Sequence, residues 1–150
     1  MKKFSFSLQK VLEIKDQILE NLKVELSSLN NDLKNTVVVI DNLKLRFRSI
    51  DEEFVKKSFA SISVGEMIYY KMLMEGTLKQ IELKEEEKQR IIKRIEVKRQ
   101  EIISMNKEIS SLEKLKEKEL EKHSKAVEKS EEIFIEEFVS NISMTKKYAV

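Results

Sequence analysis

The side chains with the clearest chemical potential in this chain are three consecutive carboxylates, Glu85, Glu86 and Glu87, and a single histidine, His123. Neighbouring carboxylates can act as a general acid and base, and a histidine can carry a proton or bind a metal ion. One histidine cannot by itself supply a histidine-rich metal site or a Ser-His-Asp triad. The glutamates are better explained as a solvated helix face paired with Lys and Arg, with His123 as a solvated helix residue. We therefore expect no catalytic residue, no cofactor and no metal site.

The composition of the 150-residue chain argues against several other classes of site. There is no cysteine, which rules out disulfides and thiolate metal ligands. The 29 basic and 27 acidic residues give a formal net charge of +2, too balanced to favour a nucleic acid as partner. No stretch approaches the roughly 18 apolar residues needed to span a bilayer, and the first residues lack the apolar core of a signal peptide. We expect a cytoplasmic protein that does not span the membrane.

The element that must position these side chains is an apolar stripe that repeats at alternating spacings of four and three. A repeat of 3.5 residues keeps one narrow seam facing a partner helix, so the stripe indicates a coiled coil. Lys15 and Thr36 alone interrupt it. Its members are Leu8, Leu12, Lys15, Leu19, Leu22, Leu26, Leu29, Leu33, Thr36, Ile40, Leu43, Phe47, Ile50 and Phe54.

The chain has no proline and only two glycines, which leaves room for about one reversal. Serine and glycine gather only between residues 57 and 66, where Ser63 and Glu66 form a capping-box pattern. We predict helix 1 at about 8–58, a turn at about 59–64, helix 2 at about 65–140 and a frayed tail at 141–150. The predicted fold is all-α: a single domain in which two long helices form an antiparallel coiled-coil hairpin, with the second helix longer and overhanging.

The predicted hairpin also has a predicted register. If the chain reverses near residue 62, seam residues whose numbers total about 124 should face one another. The same register places Thr36 opposite Lys88 and Ile40 opposite Lys84, so these lysines either extend their ammonium groups to solvent or mark a soft segment that bends. The eight apolar layers are Leu12–Leu112, Leu19–Met105, Leu22–Ile102, Leu29–Ile95, Leu33–Ile91, Leu43–Ile81, Ile50–Met74 and Phe54–Tyr70.

Two groups of apolar residues remain outside this seam. Beyond about residue 116 the second helix has no predicted partner, yet large apolar residues return, and exposed patches of this kind usually mark interaction sites. Alternatively, the tail folds back on itself or forms a homodimer. The first group contains Phe4, Phe6, Ile133, Phe134, Ile135, Phe138 and Val139. The second, at the hairpin tip, contains Phe59, Ile62, Met67, Tyr69 and Met72.

The opening residues Phe4-Ser-Phe6-Ser-Leu8-Gln9-Lys10-Val11-Leu12-Glu13-Ile14-Lys15 resemble the start of the flagellar export protein family FliJ. In that family an aromatic-x-aromatic-x-Leu-Gln start leads directly into a long coiled coil. The chain length, the single reversal and the Glu136-Glu137-Phe138 ending are similar too. At the tip, residues 43–49 and 68–70 resemble the family's aromatic-bearing helices. Here, however, Phe47 stands where a tyrosine is common, and Gly76 interrupts the tip helix.

This resemblance implies a component of the flagellar type III export apparatus, similar to the central stalk subunit of rotary ATPases. Such a component is cytoplasmic and peripheral at the cytoplasmic face of the inner membrane. Its chain ends insert into the hexameric export ATPase, its tip reaches the cytoplasmic domain of the export gate protein FlhA, and it escorts export chaperones. The ATPase-binding residues carried over are Phe4, Phe6, Leu8, Ile133, Phe134 and Phe138. The gate-binding residues are Leu43, Phe47, Phe59, Ile62, Met67, Tyr69, Tyr70, Met72 and Leu73.

The alternative function is that of a structural or chaperone-like adaptor. A prefoldin-like subunit needs short strands near the hairpin, and only Ile62 and Val64 provide the required alternation. A self-associating spacer would instead use the stripe from Leu8 to Phe54 between chains.

Overall fold

The structure, a computed structural model, describes residues 3–148 and contains two helices joined by a short loop. Helix α1 is Gln9–Ala60 and helix α2 is Val64–Tyr148. Among the described residues there is no strand. The two helices pack against each other, which confirms the predicted all-α antiparallel hairpin.

The hairpin divides into two compact units. One contains residues 3–19 and 104–148, and the other is Glu20–Ile103. Each unit pairs a segment of α1 with an antiparallel segment of α2, and the first unit also contains the non-helical residues 3–8. The expectation of a single domain stays a prediction.

The apolar stripe of α1 is the protected side of that helix. All fourteen predicted stripe positions are buried or half-buried, whereas most residues between them are exposed. Ile40 is the most deeply buried of the core residues, with 3% of its surface exposed. The heptad pattern therefore identified the seam of α1 correctly along its whole length.

Contacts between the helices confirm the predicted register in both units. Within Glu20–Ile103, the rings of Phe54 and Tyr70 lie 5.8 Å apart. Within the other unit, Lys15 Nζ lies 2.6 Å from Glu108 Oε2. Every residue of the eight predicted layers is buried or half-buried. A turn centred near residue 62 therefore accounts for the pairing of the whole seam.

Two threonines lie in the seam and satisfy their hydroxyl groups locally. Thr36 donates to the Asp32 carbonyl and Thr77 donates to the Leu73 carbonyl, each at 2.8 Å. Both threonines are buried. Because each bond reaches back one helical turn, the hydroxyls need no partner on the opposite helix. No buried side-chain nitrogen or oxygen of the described residues lacks a hydrogen bond.

The two lysines of the polar zone around Ile40, Lys84 and Lys88, are half-buried. Lys84, predicted to lie opposite Ile40, is half-buried, and its ammonium lies 2.9 Å from Glu87 Oε2 on the same helix. A long stem over apolar surface with the charge at the edge is the usual arrangement of such lysines. This geometry supports the interpretation that the lysine extends outward. The bending of this segment stays a prediction.

The loop between the helices ends in a side-chain cap. The backbone N–H of Glu66 donates to Ser63 Oγ at 3.2 Å, which satisfies one of the free donors at the start of α2. At the other side of the loop, the Ser61 N–H donates to the Lys57 carbonyl at 3.1 Å. The predicted Ser63 cap therefore exists, and α2 begins at Val64, within one residue of the prediction.

The end of α2 differs from the predicted frayed tail. The helix continues through Tyr148, and residues 149 and 150 of that predicted tail lie outside the described residues. Residues 141–148 contain no proline or glycine, and the Thr145 hydroxyl donates to the Asn141 carbonyl at 2.8 Å. Lys146 and Lys147 lie in the last turn, where positive charge is favourable at the negative end of the helix dipole.

Candidate partner-binding surfaces

The carboxylates that could have formed a catalytic cluster are engaged in ion pairs. Glu85 Oε1 lies 3.9 Å from Lys44 Nζ, and Glu87 Oε2 lies 2.9 Å from Lys84 Nζ. Among residues 3–148, no group of three or more His, Cys, Asp or Glu residues is placed to hold a metal ion. Across the same residues, neither helix has a stretch apolar enough to cross a membrane.

The N-terminal residues 3–8 pack along α2 instead of standing free. The ring of Phe4 lies 5.6 Å from the ring of His123, tilted by 59°. Phe6 is buried, with 7% of its surface exposed, and Lys116 Nζ donates to Gln9 Oε1 at 2.8 Å. The interpretation of His123 as a solvated residue was wrong, because it is half-buried and its ring packs against the ring of Phe4. The covered part of α2 also extends past residue 116, where the sequence pattern placed its end.

The six residues predicted to bind the ATPase therefore fall into two groups. Phe4 and Leu8 are half-buried and Phe6 is buried, so these three face the interior of their unit. The remaining three, on α2, are exposed. Those three are Ile133, Phe134 and Phe138.

The exposed end of α2 carries eight large apolar residues. Val127 is the last half-buried residue, and all residues from 128 to 148 are exposed. Phe134 and Phe138 follow Val127 by seven and eleven residues, so they lie on the side of α2 that forms the seam earlier in the helix. We call the following set the terminal apolar face: Ile133, Phe134, Ile135, Phe138, Val139, Ile142, Met144 and Tyr148.

Three members of this face were not found from the sequence. Ile142, Met144 and Tyr148 fall inside the stretch that was expected to fray. The available signal was the spacing of Ile142, four residues after Phe138 and eight after Phe134, which continues the same helix face. That spacing was outweighed by the basic, polar composition of the chain end.

A second exposed apolar surface lies at the loop end of the hairpin. Phe59 is its most accessible residue, with 88% of its surface exposed. Val64 and Ile68 belong to the same surface and were not among the predicted gate-binding residues. Ile62, in the loop, is half-buried. We call the following exposed set the tip patch: Phe59, Val64, Met67, Ile68, Tyr69 and Met72.

Tyr70 lies behind the tip patch and belongs to the seam. Only 4% of its surface is exposed, and its hydroxyl donates to Glu53 Oε1 at 3.1 Å. The ammonium of Lys57 lies 5.2 Å from the centre of the Tyr70 ring, a cation–π arrangement. The interaction with Tyr70, assisted by the charges of Glu53 and Glu66, raises the pKa of Lys57. Tyr70 therefore ties the end of α1 to the start of α2.

The other predicted gate-binding residues also lie in the seam. Leu43, Phe47 and Leu73 are half-buried, so most of each side chain is used between the helices. Their part in gate binding stays a prediction. The freely accessible members of the predicted set are Phe59, Met67, Tyr69 and Met72.

Comparison with known proteins covers almost the entire chain. A family model described as "Flagellar FliJ protein" matches residues 4–147. The chain belongs to the FliJ family. This membership makes it a component of the flagellar export apparatus. The FliJ match begins at Phe4 and so includes the aromatic residues that pack along α2. Comparisons with curated proteins and with solved structures gave no significant match.

Proposed function

We propose that this FliJ-family chain is a non-enzymatic adaptor that links the hexameric flagellar export ATPase to the cytoplasmic domain of the export gate protein FlhA. The terminal apolar face binds the ATPase and promotes its assembly and hydrolysis, and the tip patch binds the gate. The observation that carries this proposal is that each of the two units exposes its own apolar surface. One surface in each unit gives a single chain two places for partners.

The terminal apolar face suits insertion into a groove of a larger assembly. An amphipathic helix that lacks an intramolecular partner commonly docks its apolar side chains into a hydrophobic groove. Phe134, at 68% exposed, and Phe138 provide large aromatic anchors of the kind that dominate binding energies. Their alignment with the seam face of α2 means that a partner helix could extend the coiled coil directly.

The tip patch suits a different kind of contact. Phe59 and Tyr69 provide aromatic area, and Met67 and Met72 provide side chains that repack easily against an uneven surface. The seam behind the patch is fixed by Tyr70, so the patch rests on an ordered helix pair. These side chains determine which partner binds. Binding can shift the gate between two conformations only to the extent that the tip patch binds one conformation more tightly than the other.

The ATPase contact is tested by placing charge on the terminal apolar face. Phe134→Asp combined with Phe138→Asp should retain full helicity, because both side chains are exposed. ATPase binding should weaken by about 1000-fold, since two aromatic anchors at roughly 2 kcal/mol each total about 4 kcal/mol. Isothermal titration calorimetry measures the affinity and circular dichroism the helicity.

The matched control introduces the same two charges on the side of the same helix opposite Phe134 and Phe138. Ser140→Asp combined with Ser143→Asp should leave ATPase binding within about threefold of the wild type. Unchanged binding by the phenylalanine variant would contradict the proposed surface. A loss of helicity in that variant would show that these residues stabilise the fold.

The gate contact is tested at the tip. Tyr69→Ala combined with Met72→Ala should weaken binding to the FlhA cytoplasmic domain by at least about tenfold. Binding to the ATPase should be retained, because the substituted residues lie in the other unit. Lys71→Ala combined with Glu75→Ala, on the same helix and neutral in net charge, is the control. Equal gate binding by the two double variants would refute the tip assignment.

The proposal includes a cytoplasmic location, peripheral at the inner membrane through these partners, and the escort of export chaperones. Cell fractionation in a strain that lacks FlhA tests the location. The chain should leave the membrane fraction there and remain in it when FlhA is restored.

The alternative adaptor functions have less support. A prefoldin-like assembly is built on strands near the hairpin, and residues 3–148 contain none. A spacer that self-associates through the stripe of α1 would need that stripe to be free. All fourteen stripe positions are instead covered within one chain.

A further inference from the structure

A band with an excess of positive charge lies along the middle of α2. Residues 88–100 contain six basic residues and one acidic residue. Arg90, Lys93 and Arg94 are exposed, and they form no ion pair with any residue that the structure describes. Lys84, which precedes the band, and Lys98, which lies within it, are by contrast bound to glutamates. The three central cations are therefore available to an external partner.

Two of these cations, Lys93 and Arg94, border a groove between α1 and α2 within the unit Glu20–Ile103. The groove has a volume of about 530 Å³, and Leu29 and Val97 provide apolar surface in it. The one carboxylate among its described lining residues, Glu25, is bound by Lys98, which also lies 3.1 Å from Glu101. These two glutamates raise the pKa of Lys98. The lining therefore offers apolar surface and an excess of positive charge.

A second groove continues the first and shares Arg94 with it. It has a volume of about 480 Å³ and is also lined by Arg90. Of its two carboxylates, Glu87 is bound by Lys84, which leaves Asp32. We call the two grooves together the basic groove. Its chemistry selects an acidic segment that also carries apolar side chains.

Such a segment is present in this chain. Residues 131–139 of α2, Glu-Glu-Ile-Phe-Ile-Glu-Glu-Phe-Val, contain four glutamates and no basic residue. All nine residues are exposed. None of the four glutamates is in an ion pair with the residues described. The segment therefore carries negative charge, opposite in sign to that of the basic groove, together with apolar side chains.

We propose that residues 131–139 of one copy of this chain dock on the basic groove of a second copy. Glutamates of the segment pair with Arg90, Lys93 and Arg94, and its apolar side chains cover Leu29 and Val97. This inference does not depend on the proposed function. The docked segment includes Phe134 and Phe138, so self-association and the proposed ATPase contact exclude each other. Chains docked on one another in this way would be unable to bind the ATPase through Phe134 and Phe138 at the same time.

Sedimentation velocity of the full-length chain tests the self-association. The sedimentation coefficient should rise with concentration across the micromolar range at low salt. Because the contact relies on charge, high salt should abolish that rise. A wild-type chain that stays monomeric at low salt throughout this range would overturn the proposal.

Charge reversal assigns the contact to the basic groove. Arg90→Glu, Lys93→Glu and Arg94→Glu together should weaken self-association at least about tenfold. The control reverses three other exposed lysines that form no ion pair with the described residues, and it should associate as the wild type does. These control substitutions are Lys114→Glu, Lys118→Glu and Lys122→Glu. Equal weakening by both triple variants would overturn the assignment to the groove.

A complementary variant provides a rescue. Replacing all four glutamates of residues 131–139 by lysine should also weaken self-association at least about tenfold. Mixing this variant with the reversed-groove variant restores opposite charges at both contacts, so a mixed complex should form where neither variant associates alone. Failure of the mixture to associate, with both variants fully helical, would overturn the proposed pairing.

The lack of cysteine in the chain allows a direct test of the contact. One variant carries Val97→Cys and the other carries Ile135→Cys. Under mild oxidation their mixture should give a disulfide-linked pair faster than either variant alone, and high salt should suppress the reaction. Equal rates in the mixture and in the single-variant samples would contradict docking of residues 131–139 on the groove.

Discussion

Ile40→Ala is the substitution that most sharply separates the two interpretations of the central polar zone. Ile40 is the most deeply buried core residue, at 3% exposed, although the predicted register sets it opposite Lys84. If the lysine stem covers it well, Ile40 contributes as a normal core residue. If the zone is a soft segment, replacing Ile40 by alanine should change the free energy of unfolding only slightly.

The expected loss of stability follows from the burial. Replacing isoleucine by alanine removes three carbon atoms, worth about 0.8 kcal/mol each when fully buried, or about 2.4 kcal/mol in total. The cavity left behind raises the cost of such substitutions to about 2–5 kcal/mol in compact cores. The seam lies between only two helices, so neighbouring side chains and water can fill part of the space. We expect a loss of about 2.5–3.5 kcal/mol in the free energy of unfolding.

Urea unfolding followed by circular dichroism measures this loss. The control is Val38→Ala, two residues away, where 56% of the side chain is exposed. There the small loss of apolar burial is offset by the better helix propensity of alanine, so we expect a change within about 0.5 kcal/mol. A loss below about 1 kcal/mol for Ile40→Ala would contradict tight packing and favour the soft segment.

Two further predictions concern features that the structure places outside the seam pattern. Phe6→Ala should release residues 3–8 from α2 by lowering the free energy of their local opening by about 2 kcal/mol. The NMR resonances of the His123 ring should then shift, because the Phe4 ring no longer packs against it. Unchanged His123 resonances would contradict the packing of the N-terminal residues. Gly76→Ala should stabilise the hairpin by about 1 kcal/mol, because alanine is the better helix former and a Cβ at Gly76 would meet nothing within 4 Å. A urea unfolding midpoint below that of the wild type would contradict this prediction.

The seam could be predicted from the sequence because one physical constraint controls it. A repeat of 3.5 residues fixes which side of α1 is covered, and a single reversal then fixes the register. The Phe54–Tyr70 contact is one of the predicted layers, and the Lys15–Glu108 ion pair agrees with the predicted register although it was not itself predicted. Ser63 was identified as a cap for a similar reason, because a hydroxyl three residues before a glutamate has a defined use at a helix start.

The N-terminal residues could not be placed from the sequence because they are not helical. Residues 3–8 have no periodic pattern from which a protected face can be derived. Phe6 was therefore assigned to an exposed surface, although it is buried. His123 was taken as solvated because the sequence does not show that Phe4 reaches it. The Phe4–His123 contact joins residues more than a hundred positions apart.

The two exposed surfaces were predicted in outline. Large apolar residues that fit no seam position were identified at both places, and most of them are exposed. The boundaries were less accurate, since Tyr70 proved to be a seam residue and Ile142 extends the terminal apolar face. Sequence spacing shows which residues share a helix face, whereas exposure depends on where the covering element ends.

The central claim, that the terminal apolar face binds the export ATPase, is tested most directly by mixing the purified chain with the flagellar export ATPase of the same organism. Size-exclusion chromatography should show a shared peak, and ATP hydrolysis by the ATPase should rise with hexamer formation when the chain is added. Phe134→Asp combined with Phe138→Asp should remove both effects. Separate elution of the wild-type chain, with an unchanged hydrolysis rate, would contradict the account.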